Sequence, residues 1–189
     1  MKIKTFLIGV IVAAGLQTAA LAKIIYDHRS LLVSGQEVYL ETGFVDPRDL
    51  FRGHYVTLRL LISNPERHKV EIDGTFGYRD DIFMVLKKGE GVFWEAASIH
   101  KTYPVNPGGP VIKGTAMFTS TNLENSASVR PTVSFPFDRY FAPKLKAQEL
   151  ENLRRNRKLG VILSLGDDGK GLIKGVTIDG DPIYEEGLF

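Results

Sequence analysis

No charged residue stands between Thr5 and Ala22. The run Phe6-Leu7-Ile8-Gly9-Val10-Ile11-Val12-Ala13-Ala14-Gly15-Leu16 is apolar on every side. A soluble core helix keeps a polar face at helical spacing, and none occurs here before Gln17 and Thr18. A helix needs about 20 apolar residues to cross the hydrocarbon core. The run is at the short end, but Lys23 can snorkel, and Ile24, Ile25 and Tyr26 extend its apolar character. The pattern predicts a membrane anchor over residues 1–26. Its competitor is a cleaved signal peptide, because Ala20-Leu21-Ala22 is a small-residue cleavage site behind a basic start, and cleavage between Ala22 and Lys23 would release the domain. The length of the run favours the anchor. Lys2 and Lys4 place the N-terminus in the cytoplasm by the positive-inside rule, and Lys23 and Arg29 weaken that bias. Either reading exports the rest of the chain.

Beyond a short polar stalk at residues 27–36, the periodicity changes from helical to alternating. Residues 37–41 read as a first strand and residues 55–62 as the strongest strand of the chain. Residues 82–86, 92–99, 111–119, 129–137, 161–165 and 172–178 read as further strands, with a short last one at Ile183 and Tyr184. Residues 87–91 form a hairpin-like connection, and Gly166-Asp167-Asp168-Gly169-Lys170-Gly171 is a second hairpin turn. Three prolines and two glycines make residues 103–110 a loop. Residues 143–158 are the one soluble helix expected, with Pro143 at its start and Leu145, Leu150 and Leu153 on one side. The fold class is therefore mainly β, a β-rich α+β arrangement. An N-terminal transmembrane helix precedes a single antiparallel barrel- or sandwich-like domain, residues 37–189, with one late helix.

Composition changes this picture little. The 43% hydrophobic and 24% charged content is that of a folded domain rather than a disordered one. A net charge of +2 gives no global case for nucleic acid. With no cysteine, disulfides, thiolate metal sites and a cysteine nucleophile are excluded.

The densest feature is Val45-Asp46-Pro47-Arg48-Asp49-Leu50-Phe51-Arg52-Gly53-His54-Tyr55-Val56-Thr57-Leu58. Asp46 and Pro47 suit the first positions of a turn, and Gly53 frees the backbone to enter a strand. Asp46, Arg48, Asp49 and Arg52 can form a charged recognition corner; the plainer reading is that they cap the turn and pair with one another. Asp138-Arg139-Tyr140-Phe141-Ala142-Pro143 is a second such block, a strand-to-helix joint with two aromatic side chains beside an arginine.

These two blocks resemble the GDYXXLXY family, membrane-anchored bacterial proteins without established activity. The naming motif falls on Gly53, Tyr55 and Leu58, with His54 in place of the family's Asp and Leu60 in place of its last Tyr. The resemblance runs from the anchor to the glycine-rich hairpin. It implies an anchored extracytoplasmic domain, on the periplasmic side of the cell membrane, beside a polytopic membrane partner. The two blocks themselves supply the candidate interaction or motif residues: Asp46, Arg48, Asp49, Arg52, Gly53, Tyr55, Leu58, Arg139, Tyr140 and Phe141.

No catalytic constellation is legible. His28, His54, His68 and His100 lack metal-ligand spacing, and each reads as solvated or hydrogen-bonded. The glycines of residues 166–175 lie between two strands rather than before a helix, so they do not form a phosphate cradle. Asp167 and Asp168 lack the further ligands of a calcium loop. Arg154-Arg155-Asn156-Arg157-Lys158 suits a helix C-terminus. Serine–lysine hydrolysis, suggested by an anchor followed by a β domain, needs a serine near the turn, and residues 44–50 contain none. The expectation is a non-enzymatic interaction or structural module of the cell envelope. It has no cofactor and no metal, and its partners are the lipid bilayer and a membrane protein rather than nucleic acid. The alternative is an exported hydrolase or small-ligand-binding barrel whose site is not visible along the sequence.

Overall fold

A computed structural model describes residues 2–42, 56–57, 60–64, 70–117, 132–137, 139–140 and 158–185. The first element is a single helix, α1 (Lys2–Ser34), of 33 residues. At 1.5 Å per residue it is about 50 Å long. It is long and apolar enough to cross a membrane, a test that a signal sequence near the N-terminus also passes. Ile3, Phe6, Ile11 and Leu16 are all largely exposed, so the protein itself does not cover this surface. Residues 23–34 continue the same helix to the edge of the β domain.

Apart from one 3-10 turn, the remaining described elements are strands arranged in two sheets and a ribbon. β1 (Gln36–Glu41), β9 (Leu159–Leu165), β10 (Gly171–Ile178) and β11 (Asp181–Glu185) form an antiparallel sheet in the order β1-β9-β10-β11. The second sheet has the order β3-β5-β4-β6-β7, from β3 (Glu71–Asp73), β4 (Asp81–Lys88), β5 (Trp94–His100), β6 (Val111–Met117) and β7 (Thr132–Ser134). The ribbon pairs β2 (Val56–Thr57) with β8 (Arg139–Tyr140). The described strands close no barrel. Of the two shapes the sequence allows, the molecule takes the open one.

Alternation explains how the sheets meet. Val38 and Leu40 of β1 and Val161, Leu163 and Leu165 of β9 share one apolar cluster with Ile82, Met84 and Leu86 of β4 and Ile112 of β6. Phe135 and Phe137, stacked at 5.4 Å just after β7, join the same cluster. Burial of these side chains is the main driving force for closing the two layers, at about 1.5–3 kcal/mol for each large one. Two further contacts tie the layers. Lys113 N donates to Gly169 O at 2.8 Å, which seats the β9–β10 turn on the part of β6 that β7 leaves unpaired. Phe93, in the β4–β5 connection, lies against Gly160.

The helix is attached to the first sheet, not merely linked to it. Leu31 O accepts from Gly35 N at 2.9 Å and from Ser164 Oγ at 2.6 Å, which satisfies a carbonyl that a helix end would otherwise leave without a partner. Leu32 is buried, and Leu31 reaches Gly166 of the β9–β10 turn. Gly35 is the single residue between α1 and β1. A Cβ there would fall 2.6 Å from Leu31 O and 3.0 Å from Leu165 O.

Several expectations need correction. The strand expected over residues 55–62 is not continuous. It supplies β2, then Leu60, bridged to Thr42, and then a 3-10 turn (Leu61–Ser63) that buries Ile62. The apolar positions Leu60 and Ile62 are buried by a bridge and a 3-10 turn as well as they would be by a strand. The strand expected over residues 129–137 is limited, among described residues, to β7, because Pro136 and Phe137 form a turn. The domain is not wholly antiparallel either. β3, which the sequence does not announce, runs parallel to β5. The helix expected over residues 143–158 lies outside the described residues, apart from Lys158.

Candidate functional site

The two motif blocks, separated by about eighty positions, meet in the fold. Val56 pairs with Tyr140 and Thr57 with Arg139 in the antiparallel β2–β8 ribbon. Val56 directly follows Tyr55, so the ribbon brings the end of the first block to the middle of the second. Just beyond β2, Leu60 bridges Thr42, and Thr42 N and Oγ1 both donate to Leu159 O at 2.9 Å. The chain leaving the ribbon is thereby fastened to the end of the first sheet. Asp46, Arg48, Asp49, Arg52, Gly53, Tyr55, Leu58 and Phe141 lie outside the described residues. Of the candidate interaction residues, the structure describes only the backbone of Arg139 and Tyr140.

A second polar arrangement lies on the other sheet. Ser98 Oγ is 2.8 Å from His100 Nε2, and His100 Nδ1 is 3.2 Å from Asp73 Oδ2. The pleat puts Ser98 and His100 on one face of β5, two positions apart. The parallel register sets Asp73 opposite His100 and Glu71 opposite Ser98. A carboxylate only accepts, so a neutral His100 carries its proton on Nδ1 and turns the Nε2 lone pair toward the Ser98 hydroxyl. The histidine is hydrogen-bonded, as one of the two sequence readings has it. Its connection to Ser98 and Asp73 has no linear signal.

That face is bordered by a strap. β5 and β6 flank β4, so residues 101–110 must cross it to connect them. Tyr103 meets Phe83 of β4 edge-on, with ring centroids 5.7 Å apart. The strap is closed at its far end by Leu86 N donating to Pro110 O at 2.8 Å. Phe83 is paired with His100 and Val85 with Ser98, so the strap passes beside the polar pair on the same face. At the near end, Lys101 Nζ is 3.1 Å from Asp80 Oδ2. The Asp80 carboxyl is held below the ordinary aspartate range, first by the Gly77 N–H and then by Lys101. No group of three or more His, Asp or Glu side chains among the described residues is placed to hold a metal ion.

A two-layer β domain carried on one long apolar helix is the class of protein that this fold defines. The family model described as GDYXXLXY protein matches residues 17–176, and the chain belongs to the GDYXXLXY family. The match spans the second half of α1, both motif blocks and β9. No curated protein and no solved structure matches the chain.

Proposed function

We propose that this chain is a single-pass, extracytoplasmic interaction module of the bacterial cell envelope, whose contact surface is built on the β2–β8 ribbon. The observation that carries the reading is the pairing of Val56–Thr57 with Arg139–Tyr140, because it joins two charged and aromatic blocks that lie far apart in sequence. Arginine and tyrosine are the side chains that most often anchor protein interfaces. The partner is a polytopic membrane protein. An apolar helix continuous with the domain holds the domain at the bilayer, and lipid covers the helix surface that the protein leaves open. The basic residues Lys2 and Lys4 direct the N-terminus to the cytoplasm.

Crosslinking in intact membranes followed by co-purification tests the contact. Wild type is expected to bring down a membrane protein that the Arg52→Ala/Tyr55→Ala and Arg139→Ala variants do not. Identical captures from all three would show that the ribbon is not the contact. Protease added to intact spheroplasts tests sidedness: the β domain should be digested, and its protection would put it in the cytoplasm.

A further inference from the structure

We propose that Ser98, His100 and Asp73 form a nucleophile, general base and orienting carboxylate able to cleave a carboxylic ester. Three observations converge on this. The hydrogen bonds connect the groups in the order that acyl transfer requires, Ser98 Oγ to Nε2 at 2.8 Å and Nδ1 to Asp73 at 3.2 Å. The register sets the arrangement, since His100 lies between β3 and β4 with Asp73 on one side and Phe83 on the other. The polar pair also borders the Phe83 and Tyr103 rings, with the Lys113 ammonium 5.6 Å from the Phe83 centroid, and these rings are the surface on which an acyl group would rest. Such a constellation is recognised by geometry and roles rather than by sequence position.

The step is an ordinary acyl transfer. Ser98 Oγ bonds to the ester carbonyl carbon while its proton passes to His100 Nε2. The carbon–oxygen bond to the alcohol breaks, and the departing alkoxide takes that proton from His100. Water then gives a proton to His100 and adds its oxygen to the acyl carbon. Ser98 Oγ leaves with the proton returned, and the acid is released. Asp73 keeps Nδ1 protonated and stabilises the imidazolium that forms in each half. The substrate class is a carboxylic ester with an apolar or aromatic acyl group.

The test is covalent labelling of the full chain in detergent with a fluorophosphonate, with the site read by peptide mass spectrometry. Wild type is expected to be phosphonylated at Ser98, and Ser98→Ala to remain unmodified. His100→Gln and Asp73→Asn should label about tenfold more slowly or worse. The Asp73 side chain is 81% exposed, so Asp73→Asn will not fail for want of folding. A cooperative melt confirms the fold of each variant. Hydrolysis of p-nitrophenyl butyrate should follow the same order. An unlabelled Ser98 in folded wild type overturns the proposal, as does labelling confined to another serine or an equal rate in Asp73→Asn.

Discussion

Thr177 sits in β10 with no exposed surface, and its hydroxyl finds no hydrogen-bond partner among the described residues. A buried polar group left unsatisfied costs about 1–3 kcal/mol. Thr177→Val removes the group and keeps the branched shape, so it should raise the unfolding free energy by about 1 kcal/mol in a urea titration. The charged residues behave differently. In the β9–β10 turn, the side-chain hydrogen bond from Lys170 holds the Asp168 carboxyl below its ordinary value. The same bond raises Lys170. A lowered carboxylate stabilises the fold above its unfolded-state value, and that contribution is lost as the pH falls through the folded one. A raised lysine stabilises below its unfolded-state value and loses the contribution as the pH rises through the folded one. The pair therefore acts between about pH 4 and pH 10. Both side chains are more than half exposed, so the effect is small and sensitive to salt. Lys170→Ala should lower stability slightly at pH 7, and the difference from wild type should shrink as the pH falls through the lowered Asp168 value.

At the scale of elements, what the sequence reveals depends on how local the signal is. The β9–β10 hairpin is legible because an apolar run stands on each side of Gly166-Asp167-Asp168-Gly169, and the observed strands begin and end within two residues of the expected ones. β4, β5 and β6 are legible for the same reason. β3 is not, because Glu71-Ile72-Asp73 is exposed throughout and too short to carry a period. That omission also hides the Ser98–His100–Asp73 chain. The carboxylate reaches His100 only through a parallel pairing 27 positions away, on a strand without a signature. The ribbon is half legible: the two blocks are visible as motifs, but nothing along the chain says that they pair. The α1–β1 joint provides a direct test at this scale. A Cβ on Gly35 meets two backbone oxygens that cannot turn away, so Gly35→Ala must lift the helix end off the sheet. The expected cost is about 1–3 kcal/mol. Amide exchange should quicken at Ser164 and neighbouring residues of β9, whereas β4 and β5 should be unaffected. Unchanged exchange at β9 would mean that the helix end does not brace the sheet.

For the molecule as a whole, the main consequence is continuity between the apolar helix and the domain. α1 does not end where the apolar run ends. It continues past the Lys23–Asp27 ion pair to Ser34 and is clasped there by Ser164 and the β9–β10 turn. A flexible tether would let the domain tumble above its attachment point, whereas a helix bonded to the sheet fixes the domain's orientation relative to the anchor. The β2–β8 ribbon, tied to the end of β1 away from α1, would then meet the extracytoplasmic part of a membrane partner from a defined direction. This arrangement presupposes that the apolar half of α1 remains on the mature protein. The intact mass of the protein recovered from the membrane fraction tests that most directly. We expect a chain that still begins at Met1 and stays with the membrane after a high-salt wash. A mature chain beginning at Lys23, recovered in the soluble fraction, would contradict the account.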